Sequence, residues 1–256
     1  MGLLAGQGRE AARNRLILAL DTSSAADARR LTEELREFVG IFKVGLELFS
    51  SAGPDFLEEL NREGIPVFFD GKFMDIPNTV ARATEAVVRR GVFMFNVHAS
   101  GGAKMMRAAA EAAARISDDK AVKRPLSLAV TVLTSLGERE LRDELGIPAA
   151  LEDQVVRLAL LAKASGMSGV VASAAEVLRL RAACGPDFVL VTPGVRPSWA
   201  AADDQVRVVT PAEAMRLGSD YVVVGRPITA AADRRDAARR VLDEMDEALG
   251  RAAPGN

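Results

Sequence analysis

Two carboxylates and one ammonium group fall within six residues of the sequence, at Asp70, Lys72 and Asp75. The segment follows an apolar run, residues 66–69, that is typical of a buried strand. If the chain stays extended through Lys72, the Asp70 and Lys72 side chains project from the same side, because strand side chains alternate. An ammonium group beside carboxylates keeps its proton, which suits a proton donor better than a nucleophile.

A hairpin turn is the alternative interpretation of these residues. Asp-Gly is a common hairpin signal, and charged residues often end a strand without any catalytic role. Residues 73–78 do not alternate as a returning strand should, and Pro77 would remove a hydrogen-bond donor from the ladder. Pro77 fits the first turn of a helix better, so the hairpin is the weaker interpretation.

Composition narrows the classes of function. The chain has 256 residues, of which 49% are apolar, and a formal net charge of −2. Lysine and arginine are scattered beside acidic residues, so we expect no nucleic-acid partner. One cysteine, Cys184, and one histidine, His98, allow neither an intramolecular disulfide nor a His/Cys zinc cluster, which leaves only an oxygen-ligated metal open.

Targeting signals are not evident in the sequence. No apolar run approaches the length that spans a membrane, and residues 1–14 lack the apolar centre and cleavage pattern of a signal peptide. We therefore expect no membrane partner and a cytoplasmic location.

Short apolar runs alternate with amphipathic stretches from residue 15 onward, which predicts successive βα units around a parallel sheet. The eight runs are 16–20, 41–44, 67–69, 93–97, 127–132, 169–172, 188–192 and 221–224. Eight units in this length favour a closed (β/α)8 TIM barrel over an open doubly wound sheet, and no Gly-x-Gly-x-x-Gly pattern follows the first run. We expect a single barrel domain over 1–256, with flexible tails at 1–14 and 251–256.

Chemistry in such a barrel lies where the strands end, so the polar residues at these points are candidates. Asp21 follows the first run, where it could also cap a helix. Lys43 lies inside the second run and must reach solvent or find a carboxylate. His98 ends the fourth run, and we interpret it as structural because no Ser-His-carboxylate pattern accompanies it.

Later strand ends suggest a phosphate site. The seventh run continues into Pro-Gly-Val-Arg-Pro, which includes Arg196, and the eighth into Gly225 and Arg226. The loops after the last two barrel strands commonly bind phosphate, and a guanidinium group can contact two phosphate oxygens at once. Thr134, after the fifth run, could simply begin a loop, and the long polar stretch 137–152 that follows is compatible with a loop or with a mobile lid.

Three segments carry a resemblance to one family. Asp-x-Lys-x-x-Asp-Ile-Pro-Asn-Thr at 70–79 resembles the signature of the orotidine 5'-phosphate decarboxylase family, and the segments 192–197 and 224–228 resemble that family as well. The resemblance implies a cofactor-independent barrel enzyme that converts orotidine 5'-phosphate (OMP) to UMP and carbon dioxide, the last step of UMP biosynthesis. It implies an alternating catalytic array of lysine and aspartate, made by Lys43, Asp70, Lys72 and Asp75.

The resemblance also implies which residues contact the nucleotide. They are the four catalytic residues together with Asp21, Ile76, Thr79, Thr134, Arg196, Gln205, Gly225 and Arg226. Asp75, Ile76 and Thr79 would reach the site of a neighbouring subunit, which implies a homodimer with shared active sites. Gly71 departs from the family pattern, where a larger apolar residue is expected, and should loosen the strand end.

Two other functions compete with this one. A sugar-phosphate decarboxylase or aldolase of the same superfamily shares Asp-x-Lys-x-x-Asp but typically uses magnesium, and the Ile-Pro-Asn-Thr segment that ends at Thr79 argues against it. A phosphate-binding barrel without turnover is the second alternative, and the intact set of Asp70, Lys72 and Asp75 argues against it.

Overall fold

The computed structural model describes residues 2–120, 123–200 and 209–251. Its eight strands form a closed parallel barrel in sequence order, as the eight apolar runs predict. The strands are β1 (Leu16–Ala19), β2 (Ile41–Gly45), β3 (Val67–Phe73), β4 (Met94–His98), β5 (Leu126–Val130), β6 (Gly169–Val171), β7 (Val189–Thr192) and β8 (Tyr221–Val224). The (β/α)8 fold class is therefore confirmed.

Helices lie between the strands and at both ends of the chain. They are α1 (Gly2–Arg13), α2 (Ala25–Leu35), α3 (Leu46–Ala52), α4 (Asp55–Arg62), α5 (Pro77–Val88), α6 (Gly102–Lys120), α7 (Glu138–Asp143), α8 (Leu151–Ala164), α9 (Val177–Cys184), α10 (Pro211–Leu217), α11 (Arg226–Thr229) and α12 (Arg234–Arg251). In the parts of the chain that the structure describes, no helix is both long and apolar enough to cross a membrane.

The chain divides into two compact units, and the expectation of one domain stays a prediction. The first unit comprises Met1–Phe68 and Thr192–Asn256, and it contains β1, β2 and β8. Ile17 of β1 pairs with Ile41 of β2 and with Val223 of β8. These strands are almost entirely apolar, because parallel strands in a barrel are covered on both faces.

The second unit, Phe69–Val191, contains β4 to β6 and most of β3 and β7. Its strands pair in register, with Phe95 opposite Ser127 and Val170 opposite Leu190. Helices α5 and α6 pack against each other in this unit. Pro77 is the first residue of α5, as its sequence position predicts.

The N-terminal segment differs from expectation. The sequence favours a flexible tail over 1–14, whereas α1 runs to Arg13, with Ala12 completely buried. Alanine has the highest helix propensity, and α1 packs against α12, so tertiary contact stabilises a segment that the apolar periodicity did not reveal. At the other end α12 continues to Arg251, and the rest of the expected tail, 252–256, lies outside the described residues.

Candidate active site

An ion pair lies at the end of β3. Lys72 Nζ is 2.7 Å from Asp70 Oδ1, and the two side chains are 30% and 13% exposed. The alternation of strand side chains predicts this pairing. Partial burial strengthens it, because opposite charges attract more strongly where less water screens them.

The backbone at Lys72 is not regular strand. Lys72 has a φ of +47°, and it is the only non-glycine residue with positive φ in the described parts of the chain. A side-chain-bearing residue in the left-handed region costs about 1–3 kcal/mol, and such strain collects at functional sites. Lys72 therefore departs from the extended conformation that would place its side chain on the same side as that of Asp70, although β3 itself continues to Phe73.

Asn96 of β4 binds both members of this pair. Its Nδ2 donates to Asp70 Oδ1 at 2.7 Å, and its Oδ1 accepts the backbone N–H of Lys72 at 2.8 Å. Asn96 is completely buried. Sequence reasoning missed this residue, although an amide in the middle of an apolar strand is itself a signal, since buried amides need partners.

His98 follows on the same side of β4, two residues after Asn96. Burial lowers the pKa of its imidazole, and the positive charge of Lys72 lowers that pKa further, against the opposing effect of Asp70. The imidazole is therefore mainly neutral at pH 7. Its interpretation as a structural residue stays a prediction.

The space beside Gly71 is already occupied. A methyl group at position 71 would overlap Cε1 of the Phe69 ring. That ring also packs against Phe73, with 5.6 Å between the ring centroids. The absent side chain at Gly71 therefore leaves no gap, because Phe69 fills the space that a larger residue would need.

Asp75, Ile76 and Thr79 are all exposed, around the start of α5. The Asp75 carboxylate accepts the backbone N–H of Ile76 at 2.6 Å. Ile76 is 66% exposed, and Met74, two residues before it, is 57% exposed, so two large apolar side chains of this short segment lie in solvent. Thr134 is also exposed, in a turn between β5 and α7.

A second lysine–aspartate pair lies in the first unit. Lys43 Nζ of β2 is 3.4 Å from Asp21 Oδ1, just after β1, and the side chains are 12% and 55% exposed. The largely buried lysine thus finds a carboxylate, as its position requires. Asp21 does not cap α2, because Ser24 is the N-cap and accepts the N–H of Asp27.

Two glycines leave room around this second pair. A methyl group at Gly225 would lie 3.3 Å from Asp21 Oδ2, and one at Gly45 would lie 3.2 Å from Lys43 Nζ. Both distances are tighter than ordinary contacts, so larger residues would crowd the two charged groups.

The remaining candidates also belong to the first unit. Arg226 is exposed at the start of α11. Arg196 is buried, and its backbone N–H donates to the carbonyl oxygen of Val209. Gln205 lies outside the described residues. Among the described residues, no group of three or more histidine, cysteine, aspartate or glutamate side chains is arranged to hold a metal ion.

Comparison with known proteins gives a consistent result. Residues 14–241 match the profile of the orotidine 5'-phosphate decarboxylase / HUMPS family. The chain is 52% identical to an orotidine 5'-phosphate decarboxylase from Heliobacterium modesticaldum, over 94% of this chain and 99% of the relative. It is 50% identical to one from Syntrophomonas wolfei, over 92% and 99%. The crystal structure of orotidine 5'-phosphate decarboxylase from Lactobacillus acidophilus is similar with a TM-score of 0.81 at 36% identity, covering 90% of this chain and 98% of that one.

Proposed function

Since this chain belongs to the orotidine 5'-phosphate decarboxylase / HUMPS family, we propose that it decarboxylates OMP to UMP and carbon dioxide with Lys72 as the proton donor. The reaction is the last step of UMP biosynthesis. The observation that carries the assignment of Lys72 is its 2.7 Å ion pair with Asp70 at a strained strand end. An ammonium group held by a carboxylate is a stable proton source beside a developing negative charge.

The chemical step needs no group beyond side chains. The bond from C6 of the pyrimidine to the carboxylate breaks, and its electron pair stays on C6. Lys72 stabilises that carbanion electrostatically and transfers a proton from Nζ to it, which forms the C6–H bond of UMP. The lysine then regains a proton from water.

Asp70 contributes by repelling the substrate carboxylate. Two like charges near 4 Å repel by about 4 kcal/mol at an effective dielectric constant of about 20. If this repulsion is relieved in the transition state, the lower barrier corresponds to a rate increase of about three powers of ten. Slow uncatalysed reactions need a larger acceleration, so binding of the remote ribose and phosphate must stabilise the transition state as well.

We assign most of the nucleotide binding to residues of the first unit. Asp21 accepts hydrogen bonds from ribose hydroxyls, since its carboxylate is half exposed beside Lys43. Arg226 binds the phosphate, and Gly225 permits close approach of the backbone. Thr134, Arg196 and Gln205 retain the nucleotide contacts that the family resemblance implies, and Lys43 retains its place in the charged array with Asp70, Lys72 and Asp75.

We also propose that the enzyme is a homodimer in which Asp75, Ile76 and Thr79 complete the partner's active site. All three are exposed in the single chain, and the exposed apolar side chains of Met74 and Ile76 suit an interface with a second copy. Because a two-fold contact is reciprocal, each subunit would both lend and borrow these residues. A cytoplasmic location likewise stays a prediction.

Mixing two inactive variants tests the shared site. After subunit exchange between Lys72→Ala and Asp75→Asn proteins, the subunit that carries Asp75→Asn keeps its own Lys72 and borrows an intact Asp75. We expect activity to return, towards one working site per mixed dimer. If exchange is demonstrated and the mixture stays inactive, Asp75 acts within its own chain.

The reaction itself is tested by adding OMP to metal-free protein and following the ultraviolet spectrum. We expect full conversion to UMP in the presence of a strong chelator. Loss of activity on chelation that magnesium restores would favour the sugar-phosphate alternative. Binding of OMP without any conversion would favour a barrel that has lost turnover.

A further inference from the structure

The side-chain amide of Asn96 forms hydrogen bonds both with the backbone N–H of Lys72 and with the carboxylate of Asp70. We propose that Asn96 is a positioning residue for proton transfer: it holds Lys72 in its left-handed conformation and directs the Lys72 ammonium group through Asp70. This inference rests on the proposed function, because it assumes that Lys72 delivers the proton.

Only one orientation of the Asn96 amide fits its surroundings. The carbonyl oxygen faces the N–H of Lys72, and the amino group faces the carboxylate of Asp70. A rotated amide would place donor against donor and acceptor against acceptor, so the neighbours determine the orientation. One rigid group therefore fixes two atoms of the catalytic pair relative to each other.

The hydrogen bond from the Lys72 N–H to Asn96 Oδ1 stabilises a strained backbone conformation. Lys72 has a φ of +47°, a conformation that persists only where surrounding contacts over-determine it. An acceptor 2.8 Å from its N–H satisfies a donor that would otherwise be left unpaired in a partly buried position. Loss of that acceptor would allow Lys72 to relax towards ordinary strand geometry and move its side chain.

The second bond acts on the side chain of the same residue. Asp70 Oδ1 accepts from Asn96 Nδ2 and from Lys72 Nζ, at 2.7 Å in each case. Because Asn96 is completely buried in β4, its own position is fixed by packing. The carboxylate therefore has one preferred rotamer, and the ammonium group follows it.

Two variants separate this role from a contribution to stability alone. Asn96→Ala removes both bonds. Asn96→Asp has nearly the same size and keeps an acceptor for the Lys72 N–H, but at neutral pH it cannot donate to Asp70. The matched control is Ser127→Ala, which removes a buried hydroxyl of the neighbouring β5 whose partner is Ser168.

We expect Asn96→Ala to lower kcat for OMP about 10- to 100-fold while the Kd for UMP changes by less than about threefold, because UMP binding needs no aligned proton donor. The control should keep kcat within about twofold of the wild type. Should Asn96→Ala not fold, the aspartate variant decides the question by itself.

The aspartate variant adds a pH signature. The introduced carboxyl group lies beside Asp70, Lys72 and His98, and protonation at low pH would let it donate to Asp70 as the amide does. Its kcat relative to wild type should therefore rise as the pH falls from about 8 to about 5, because one of two adjacent carboxyl groups has a raised pKa. Division by the wild-type rate at each pH removes the pH effects that the two proteins share.

The outcomes are distinct. Suppose that the wild type converts OMP, so that the proposed function holds. Asn96 is then not a positioning residue if both of its variants behave like Ser127→Ala. The same conclusion follows if both variants lose as much affinity for UMP as they lose in kcat. A flat pH ratio for Asn96→Asp would also overturn the inference. Wild-type protein that leaves OMP unchanged would overturn the proposed function, and the inference with it.

Discussion

The two lysine–aspartate pairs have the same charges and very different geometry. Asp70 and Lys72 are two positions apart on one strand, 2.7 Å from each other and mostly shielded. Asp21 and Lys43 are 22 positions apart, 3.4 Å from each other, and Asp21 is more than half exposed. The first pair has a buried amide and a strained backbone to hold it, whereas the second is flanked by glycines that leave room.

Together with the proposed function, this difference predicts that the two pairs have separate roles. Proton transfer needs reacting groups fixed within a fraction of an ångström, which suits the Asp70–Lys72 pair, called the rigid pair below. Binding of ribose hydroxyls needs an accessible carboxylate, which suits the Asp21–Lys43 pair, called the open pair below. An ion pair with an exposed carboxylate contributes little to stability by itself, so Asp21 can exchange it for contacts with a ligand. The predictions below test that distinction in order of expected effect.

Replacement of the lysine in the rigid pair should have the largest effect. Lys72→Ala deletes the proton donor, and we expect kcat for OMP to fall by at least about 10⁴-fold. The protein should stay folded and still bind UMP, which calorimetric titration can measure. Lys104→Ala, at an exposed position of α6, is the control. Near-normal turnover in Lys72→Ala would remove the rigid pair from the chemistry.

Arg226 tests binding in the first unit. Loss of its guanidinium group in Arg226→Ala should raise KM for OMP about 100-fold, because charge-assisted hydrogen bonds to phosphate are strong. The phosphate-free nucleoside orotidine is the matched control, and its kcat/KM should change little. Equal losses on both substrates would show that Arg226 does not bind the phosphate.

Asp21 tests the open pair directly. Asp21→Asn keeps the size of the side chain but removes the charge, and we expect KM for OMP to rise about tenfold while kcat stays within about threefold. Steady-state kinetics at saturating and limiting OMP separate the two constants. A fall in kcat comparable to that of Lys72→Ala would end the distinction between the pairs.

Glu176 is a largely buried carboxyl group, in contrast to the half-exposed Asp21. Burial raises its pKa from 4.5 to about 7, against the opposing effect of a hydrogen bond from the Ser173 backbone. The folded state therefore holds the proton more tightly than the unfolded state, so the stabilisation is complete below pH 4.5 and is lost as the pH rises to about 7.

Glu176→Gln should remove this pH dependence without changing kcat. We expect the variant to exceed the wild type in free energy of unfolding by about 1–3 kcal/mol at pH 8, and to match it near pH 4.5. Urea unfolding at the two pH values measures the difference. An equal difference at both values would show that burial does not raise the pKa of Glu176 above its value in the unfolded state.

Local pattern and spacing were sufficient to predict the barrel and the lysine–aspartate pair at the end of β3. Apolar runs followed by amphipathic helices recur with a period that the sequence displays directly, and Asp70 and Lys72 are close because they are two residues apart on one strand. Pro77 at the first position of α5 is likewise a local signal.

Only the tertiary structure decided which distant residues complete these features. Asn96 is 24 residues from Lys72, and its amide forms contacts that no local spacing encodes. The positive φ of Lys72, the Phe69 ring beside Gly71 and the packing of α1 also depend on neighbours that folding brings together. Sequence periodicity predicts where each helix and strand forms. The hydrogen-bond partner of a buried polar group depends instead on which helices and strands pack together.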